Sequence, residues 1–181
     1  MVVHAIFLVD PWQLFVNLSS RNKLAPPKTL RLQKNDVPEW RSSAGDRVRV
    51  AVGSLEGVSA PLVPAEPFNL LDIEQQSEIS FPLKDAQNAL VYVLKEEVTV
   101  RADTREQKIA AGHAIALHGS AGRLTFKASH FAHFLLLSGA ALQEPVVTQG
   151  PFVMNDTSQI NEAFARYQAG KMGQLEPLSG D

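Results

Sequence analysis

The sequence predicts an all-β protein, an antiparallel barrel or sandwich that ends in one α-helix. Short segments with apolar residues at every second position recur along most of the 181 residues, and prolines and glycines separate them. Many short strands at such regular spacing are typical of sandwiches and barrels. Only near the C-terminus does the apolar period change to that of an amphipathic helix.

The N-terminal part supplies two strands and an arm. Val2–Val9 is apolar but too short to span a bilayer, and we interpret residues 1–11 as an extension strand. No small-residue cleavage site of a signal peptide follows it. Trp12–Leu18 alternates as a second strand. Arg21–Pro38 is polar and contains three prolines, so we expect an extended arm.

The middle of the chain supplies the strands of the predicted core. In Arg47–Gly53 three valines alternate with Arg47 and Arg49, which predicts an inward apolar face and a solvated outer face. Ala89–Leu94 is apolar throughout, so we expect a central strand buried on both faces, with Val98–Val100 as its hairpin partner. Further strands are predicted at Phe68–Ile73, Glu78–Leu83, Gln107–Ile109, Ala114–Leu117, Arg123–Lys127 and Phe134–Leu137.

The C-terminal segment predicts the one helix. Asp156 or Thr157 can cap it, and Gly170 is placed to end it. Its apolar residues recur with helical spacing: Ile160, Ala163, Phe164 and Tyr167. We therefore divide the chain into the barrel, residues 12–155, the helix, residues 156–173, and a tail that we expect to fray, residues 174–181.

Composition and charge exclude several classes of protein. The net charge is −2, from 17 basic and 19 acidic residues, and no two basic residues are adjacent. We therefore expect no direct grip on nucleic acid, which needs a clustered basic surface. The chain has no cysteine, so disulfides, thiolate metal sites and cysteine nucleophiles are excluded. That composition fits a cytoplasmic protein with no membrane association.

Several segments carry a resemblance to one family, in the order in which that family has them. They are Gln13–Leu18 with Pro26-Pro27, Val48–Gly53, Asn88–Leu94, and the long stretch Glu144–Asn155 with the sequence EPVVTQGPFVMN. Together they span residues 12–173 and resemble the second half of the pirins, proteins built from two tandem cupin barrels. The resemblance implies a single cupin-type jelly roll with a C-terminal helix. It also implies that the family's first barrel is absent from this sequence.

The chain departs from the family at Glu96, where pirins usually have glycine in a turn. A non-glycine residue with positive φ costs about 1 kcal/mol. We therefore expect the turn through Lys95–Glu97 to be rearranged or lengthened.

The resemblance also implies a metal site in the family, usually iron held by three histidines and a glutamate in the first barrel. It implies quercetin dioxygenase-like activity, and for some members a role as transcriptional cofactors. A cupin barrel places a His-x-His pair before its central strand, with alternate residues pointing inward. This chain has Pro82 and Lys84 there, and Thr125 and Lys127 at the second ligand group. A proline and a protonated lysine are not metal ligands, so we expect no metal, cofactor or catalytic residue.

The histidines allow two interpretations. His113, His118, His130 and His133 can be surface or hydrogen-bonded side chains, the commoner fate of such residues. Alternatively, His118, His130 and His133 form a relocated metal site. The nearest acidic candidates at the barrel mouth are then Glu78 and Asp85.

The sequence thus supports a pirin-like single-cupin protein, metal-free and non-catalytic, that acts as a binding, regulatory or self-associating module. We expect a homodimer, because the flank that the first barrel covers in a pirin would otherwise expose apolar surface. A regulatory protein is the other partner considered. The alternative is a quercetin 2,3-dioxygenase-type oxygenase that uses iron or another divalent metal in a relocated site. A folded remnant without a role is a third interpretation, which the complete set of core strands argues against.

Overall fold

The structure is a computed structural model that describes residues 3–8, 11–84, 86–118 and 122–173, with side chains from residue 14 onward. Asp85 and the tail predicted to fray, residues 174–181, lie outside the described residues. Contacts divide the chain into two units, one of residues 32–141 and one of residues 1–31 with 142–181.

The described residues form short strands and one α-helix. In chain order these are β1 (Val3–Leu8), β2 (Pro11–Val16), β3 (Glu39–Arg41), β4 (Arg47–Val52), β5 (Ser54–Leu55), β6 (Val58–Ser59), β7 (Phe68–Gln75), β8 (Ile79–Leu83), β9 (Gln87–Lys95), β10 (Glu97–Ala102), β11 (Arg105–Ala110), β12 (Ala114–His118), β13 (Gly122–Lys127), β14 (Ala132–Ala140), β15 (Val147–Gln149), β16 (Phe152–Met154) and α1 (Thr157–Gln168). No helix among them has the length and apolar character that crossing a bilayer requires.

The described residues of the unit 32–141 form two large antiparallel sheets, besides the small hairpin of β5 and β6. One has the strand order β12-β9-β14-β7-β4-β3 and the other β11-β10-β13-β8. Their inward side chains form a single core in which Phe126 stacks on Phe134 at a centroid distance of 4.9 Å and meets Phe81 edge-on at 5.7 Å. The predicted all-β class and antiparallel pairing are confirmed.

β9 and β10 differ from the predicted hairpin. β9 pairs with β14 and β12, whereas β10 pairs with β11 and β13 in the other sheet. The turn between them is a passage from one sheet to the other. Glu96 alone makes it by adopting φ of 64°, so the prediction of a rearranged or longer turn is wrong.

The second face of β9 also differs from the prediction. Ala89, Val91 and Val93 lie in the core, but Leu90 on the opposite face is 37% exposed and Tyr92 is half-buried. Antiparallel sheets commonly bury one face only, so an unbroken apolar run does not establish burial on both faces.

The unit of residues 1–31 and 142–181 contains two hairpins and the helix. β1 pairs with β2, and β15 pairs with β16 across a turn at Gly150. The Asp156 side chain accepts the backbone N–H of Gln159 at 2.9 Å, and Gly170, with φ of 67°, follows the last turn. Both predicted ends of the helix are confirmed.

The helix buries its apolar residues against the neighbouring hairpin. Ile160 and Ala163 are fully buried and pack with Phe152 and Met154. Tyr167, predicted to be on the same apolar face, is 64% exposed. The sequence prediction omitted this hairpin and the short strands β3, β5 and β6.

Candidate functional site

An open cavity of about 510 Å³ lies at one end of the larger unit. It is bordered by the start of β7, the start of β9, the end of β8 and the end of β14, which the strand register brings to the same end of the sheets. The segment from Gly53 to Pro67, which contains the β5–β6 hairpin, forms its other side. A concave site of this volume is within the range that small organic molecules occupy.

The deep part of the cavity is apolar. Leu71, Phe81 and Leu136 reach it from the barrel core, and each is less than 5% exposed. Nearer the solvent, Leu62 and Pro64 of the loop continue the apolar lining. A ligand that enters would therefore bury an apolar body against these side chains.

Two hydrogen-bonded polar side chains, Asn69 and Ser138, line the cavity beside this apolar part. Asn69 and Ser138 face each other across β7 and β14. The Asn69 Oδ1 atom accepts the backbone N–H of Ser54 at 3.1 Å, and its Nδ2 donates to Ser138 Oγ at 3.2 Å. Because a backbone N–H can only donate, this pair of bonds fixes the orientation of the amide.

Gly53 makes that arrangement sterically feasible. Its φ is 86°, and an added Cβ would lie 1.9 Å from Asn69 Oδ1 and 2.8 Å from the carbonyl oxygen of Phe68. Only glycine tolerates both the backbone conformation and this close approach. The position of Asn69 therefore depends on Gly53.

Gln87 and Lys84 complete the polar lining. The Gln87 Oε1 atom accepts the backbone N–H of Lys84 at 3.1 Å. Among the described residues, no acceptor is found for Gln87 Nε2, and no carboxylate lies within ion-pair distance of the Lys84 ammonium group. Of the described residues in the lining, one carries a carboxylate: Glu56, an exposed residue in the β5–β6 turn.

The positions expected for metal ligands do not face the core. On β8 Ile79, Phe81 and Leu83 are buried, whereas Pro82 is exposed, as is Lys84 just after the strand, and both border the cavity. The expectation that these two positions point into the barrel is wrong by one residue, because the strand alternation is opposite to that assumed.

The second expected ligand group shows the same shift. On β13 the core residues are Leu124 and Phe126, while the Thr125 hydroxyl bonds that of Ser80 at 3.0 Å and Lys127 is exposed. In either alternation the available side chains are apolar, hydroxyl or cationic. They do not match the nitrogen and carboxylate donors that an iron-type site needs, so the residues present do not fit the metal.

The three candidate histidines are not brought together. His118 pairs with Asn88 near the start of β9, and His133 pairs with Lys95 at its end. Seven residues of strand separate those positions, which is about 23 Å. His130 lies exposed in the bend before β14. In the described parts of the chain no group of three or more histidine, aspartate or glutamate residues has the arrangement of a metal site.

Each of these histidines has a different environment. His118 is exposed and bonds Asn88 Oδ1 at 3.1 Å through Nδ1. His133 is buried, and its Nε2 lies 2.6 Å from Asp72 Oδ1. Of the two acidic candidates, Glu78 is exposed and 3.7 Å from Arg101; the other, Asp85, is not described.

His133 belongs to a charged cluster that the sequence did not predict. The other oxygen of Asp72 pairs with Arg49, whose side chain is only 13% exposed. Arg47, beside it, pairs with Glu74 at 2.5 Å. The prediction of a solvated arginine face is therefore wrong for Arg49. The available signal was Asp72 between the apolar residues Leu71 and Ile73 of β7, since a carboxylate in a buried strand needs a cationic partner.

Comparison with known proteins supports one family. The family model described as the pirin C-terminal cupin domain matches residues 70–173. Pirin of Mus musculus is 31% identical over 89% of this chain and 56% of its own length. A pirin-like protein of Solanum lycopersicum is 32% identical with the same coverage. The chain thus spans about half the length of these curated relatives.

A solved structure gives the same result. A crystal structure of quercetin 2,3-dioxygenase from Acinetobacter baumannii superposes with a TM-score of 0.78 and 29% identity. The match covers 90% of this chain and 56% of that one. The cupin-type fold expected from the sequence is confirmed by this similarity.

Proposed function

This chain belongs to the pirin family, and from that premise we propose that its barrel is a metal-independent binding module, with no oxygenase chemistry of its own. One observation carries the proposal. The inward positions of β8 and β13 hold Phe81, Leu83, Leu124 and Phe126, so apolar side chains fill the interior in which a cupin holds its metal. The open cavity of about 510 Å³ next to them, which we call the mouth cavity, remains accessible to a ligand.

The second candidate is a metal-dependent dioxygenase. The structural similarity to a protein called quercetin 2,3-dioxygenase favours it. It requires iron or another divalent metal at a relocated site, and His118 and His133 are too far apart to share one. We therefore rank it below the binding module.

Metal content decides between the two. The protein is purified after growth with iron, manganese, nickel, copper and zinc, and metal per chain is measured by plasma mass spectrometry. Oxygen consumption with quercetin is recorded in parallel, with the Acinetobacter baumannii quercetin 2,3-dioxygenase as positive control. We expect well below one metal per chain and no uptake above the protein-free rate. A stoichiometric, tightly held metal together with quercetin-dependent uptake would overturn the proposal.

Self-association is part of the same proposal. Among the described residues β12 pairs with β9 alone, which leaves its other edge without a neighbouring strand in that part of the chain. Ala114 and Ala116 are exposed on it, and an edge of this kind without charged protection is a common site of strand pairing between chains. We propose a cytoplasmic homodimer. Light scattering that shows only monomer at micromolar concentration would reject the dimer without affecting the metal result.

A further inference from the structure

We propose that the mouth cavity is a binding site for a small organic anion, a carboxylate with an aromatic or branched apolar body. The proposal rests on the binding function proposed above and names the ligand class of that module. It follows from which hydrogen-bonding groups face the cavity and which of them the protein leaves without partners.

Two neutral side chains of the cavity, Ser138 and Gln87, keep free donor hydrogens. Ser138 Oγ already accepts from Asn69 Nδ2, so the hydroxyl hydrogen of Ser138 is left to donate. Gln87 uses its Oε1 to accept from the Lys84 backbone, so its Nε2 hydrogens are left as well. Neither residue has a partner for these hydrogens in the described part of the chain. A ligand that satisfies them must present acceptors.

The positive charge of Lys84 in the lining also favours a ligand with acceptor atoms, and an anion in particular. The Lys84 ammonium group borders the cavity without an ion-pair partner among the described residues. A carboxylate bound there would gain a charge-assisted hydrogen bond in addition to the two neutral donors. Glu56, the carboxylate of the lining, is exposed on the opposite loop, where water and salt screen its repulsion.

The apolar floor selects the rest of the ligand. Leu71, Phe81 and Leu136 present a buried apolar surface next to the donor group. An anion without an apolar body, such as acetate or phosphate, would leave this surface hydrated. A ring or branched chain would displace that water, and a cavity of about 510 Å³ has room for both parts.

The two neutral donors, Ser138 and Gln87, are held in place before any ligand binds. Asn69 is fixed by Ser54 and Ser138, and Gly53 leaves the space that its side chain occupies. Ser138 and Gln87 lie on neighbouring strands of one sheet, on the same face. A site on paired strands loses little conformational freedom when it binds.

The test compares a charged and a neutral probe of the same shape. Cinnamate and cinnamamide are titrated into the full chain labelled with ¹⁵N, and backbone amide shifts are followed. We expect saturable shifts at Asn69, Gln87 and Ser138 with cinnamate, and at least about tenfold weaker binding of cinnamamide, since it lacks the charge. Absence of saturable shifts with cinnamate up to about 10 mM would overturn the proposal, as would equal binding of the two probes.

Variants assign the effect to the lining. Lys84→Met and, independently, Ser138→Ala should each weaken cinnamate by about fivefold to tenfold through loss of one donor. Lys95→Met is the matched control, an exposed lysine at the far end of β9, and should leave binding unchanged. Equal affinity in Lys84→Met and Lys95→Met would overturn the role of the charge. Metal content is measured on the same samples, so a failure of the metal-independence proposal is recognised separately.

Discussion

The Glu144 carboxylate binds Ser20 twice, although the two residues are 124 positions apart in the chain. It accepts the backbone N–H of Ser20 at 2.7 Å and its hydroxyl at 2.9 Å. Glu144 also accepts from Asn155 Nδ2 at 3.0 Å, and the same amide nitrogen donates to the Pro145 carbonyl oxygen. The two ends of the EPVVTQGPFVMN stretch are therefore joined to each other and to the loop after β2.

These bonds affect the ionisation of Glu144. The backbone N–H of Ser20, followed by its hydroxyl, lowers the pKa of the Glu144 carboxyl, with a smaller effect from Asn155. A carboxyl whose pKa is lower in the folded state adds stability above its unfolded pKa of about 4.3. That stability is lost as the pH falls through the folded pKa.

Replacing Glu144 by glutamine should therefore destabilise the protein most near neutral pH. Glu144→Gln removes the charge and leaves one acceptor oxygen for three donors, so we expect a lower melting temperature at about pH 7. The difference from the unmodified protein should shrink as the pH is lowered to about 3, because the stability from a carboxyl with a lowered pKa is lost in acid. Thermal unfolding followed by circular dichroism at both pH values measures it.

Glu162→Gln is the control, an exposed glutamate on α1 in the same unit. It should change the melting temperature little at either pH. A Glu144→Gln deficit that is the same at both pH values would show that the ionised carboxylate adds nothing beyond the neutral side chain.

Asp46 should be a second major contributor to stability. It is 2% exposed and accepts the backbone N–H groups of Gln76 and Ser77 at 2.7 and 2.8 Å and the hydroxyls of Ser42 and Ser77, each at 2.6 Å. Burial raises the pKa of Asp46, but the hydrogen bonds together outweigh it and lower the pKa. Stability from Asp46 is thus present above the unfolded carboxyl pKa and lost in acid.

Two substitutions at Asp46 separate hydrogen bonding from charge. Asp46→Ala leaves two backbone donors without an acceptor and should cost about 2–4 kcal/mol. Asp46→Asn keeps an oxygen for both N–H groups. Its new amide donor can be accepted by the Ser77 hydroxyl but not by Ser42 Oγ, which already accepts the backbone N–H groups of residues 44 and 46. Asp46→Asn should therefore cost less than the alanine substitution, about 1–2 kcal/mol. Urea titration measures both, and equal losses would contradict this division of roles.

Alanine substitutions at two glycines of the cavity loop, Gly53 and Gly57, should differ in cost, and Gly57 serves as the control. Gly53 and Gly57 both have positive φ, 86° and 82°, but an added Cβ meets Asn69 and Phe68 only at Gly53, and nothing within 4 Å at Gly57. Gly57→Ala should cost about 1 kcal/mol from backbone strain alone. Gly53→Ala should cost about 2–4 kcal/mol and displace Asn69. Chemical denaturation gives both energies, and similar values would show that Asn69 moves aside freely.

The sequence predicted the barrel well because its core strands alternate simply. Val48, Val50 and Val52 are at the inward positions assigned by period two, and none is more than 3% exposed. The turn at Glu96 was missed because glycine was assumed necessary at a positive φ, whereas an ordinary residue pays only about 1 kcal/mol there.

The cavity was harder to predict, although its signal is present in the same alternation. Asn69, Gln87 and Ser138 occupy inward positions, where each continues a row of apolar residues such as Leu71, Ala89 and Leu136. One polar residue on an inward row carries little information. Only the strand register shows that the three lie at the same end of the sheet, and register depends on tertiary pairing.

The buried pair of Arg49 and Asp72 should be strongly coupled. Asp72 is 8% exposed and binds both Arg49 and His133. Asp72→Leu leaves two polar groups without their acceptor and should cost about 3–5 kcal/mol. Arg49→Met should cost less, because Asp72 then keeps His133. In the double variant neither charge remains, so we expect a loss smaller than the sum by about 1–3 kcal/mol.

The control is a second double-mutant cycle on an exposed ion pair, Lys108 and Glu97. Their charged atoms are 3.2 Å apart, and their side chains are 72% and 52% exposed. The coupling of this pair should be below about 1 kcal/mol, because water screens the charges and the side chains are free to separate. Free energies of unfolding from urea titration supply both cycles. If the Arg49–Asp72 coupling is as small as that of the exposed pair, burial of the cluster does not strengthen it, and His133 rather than Arg49 is the partner on which Asp72 depends.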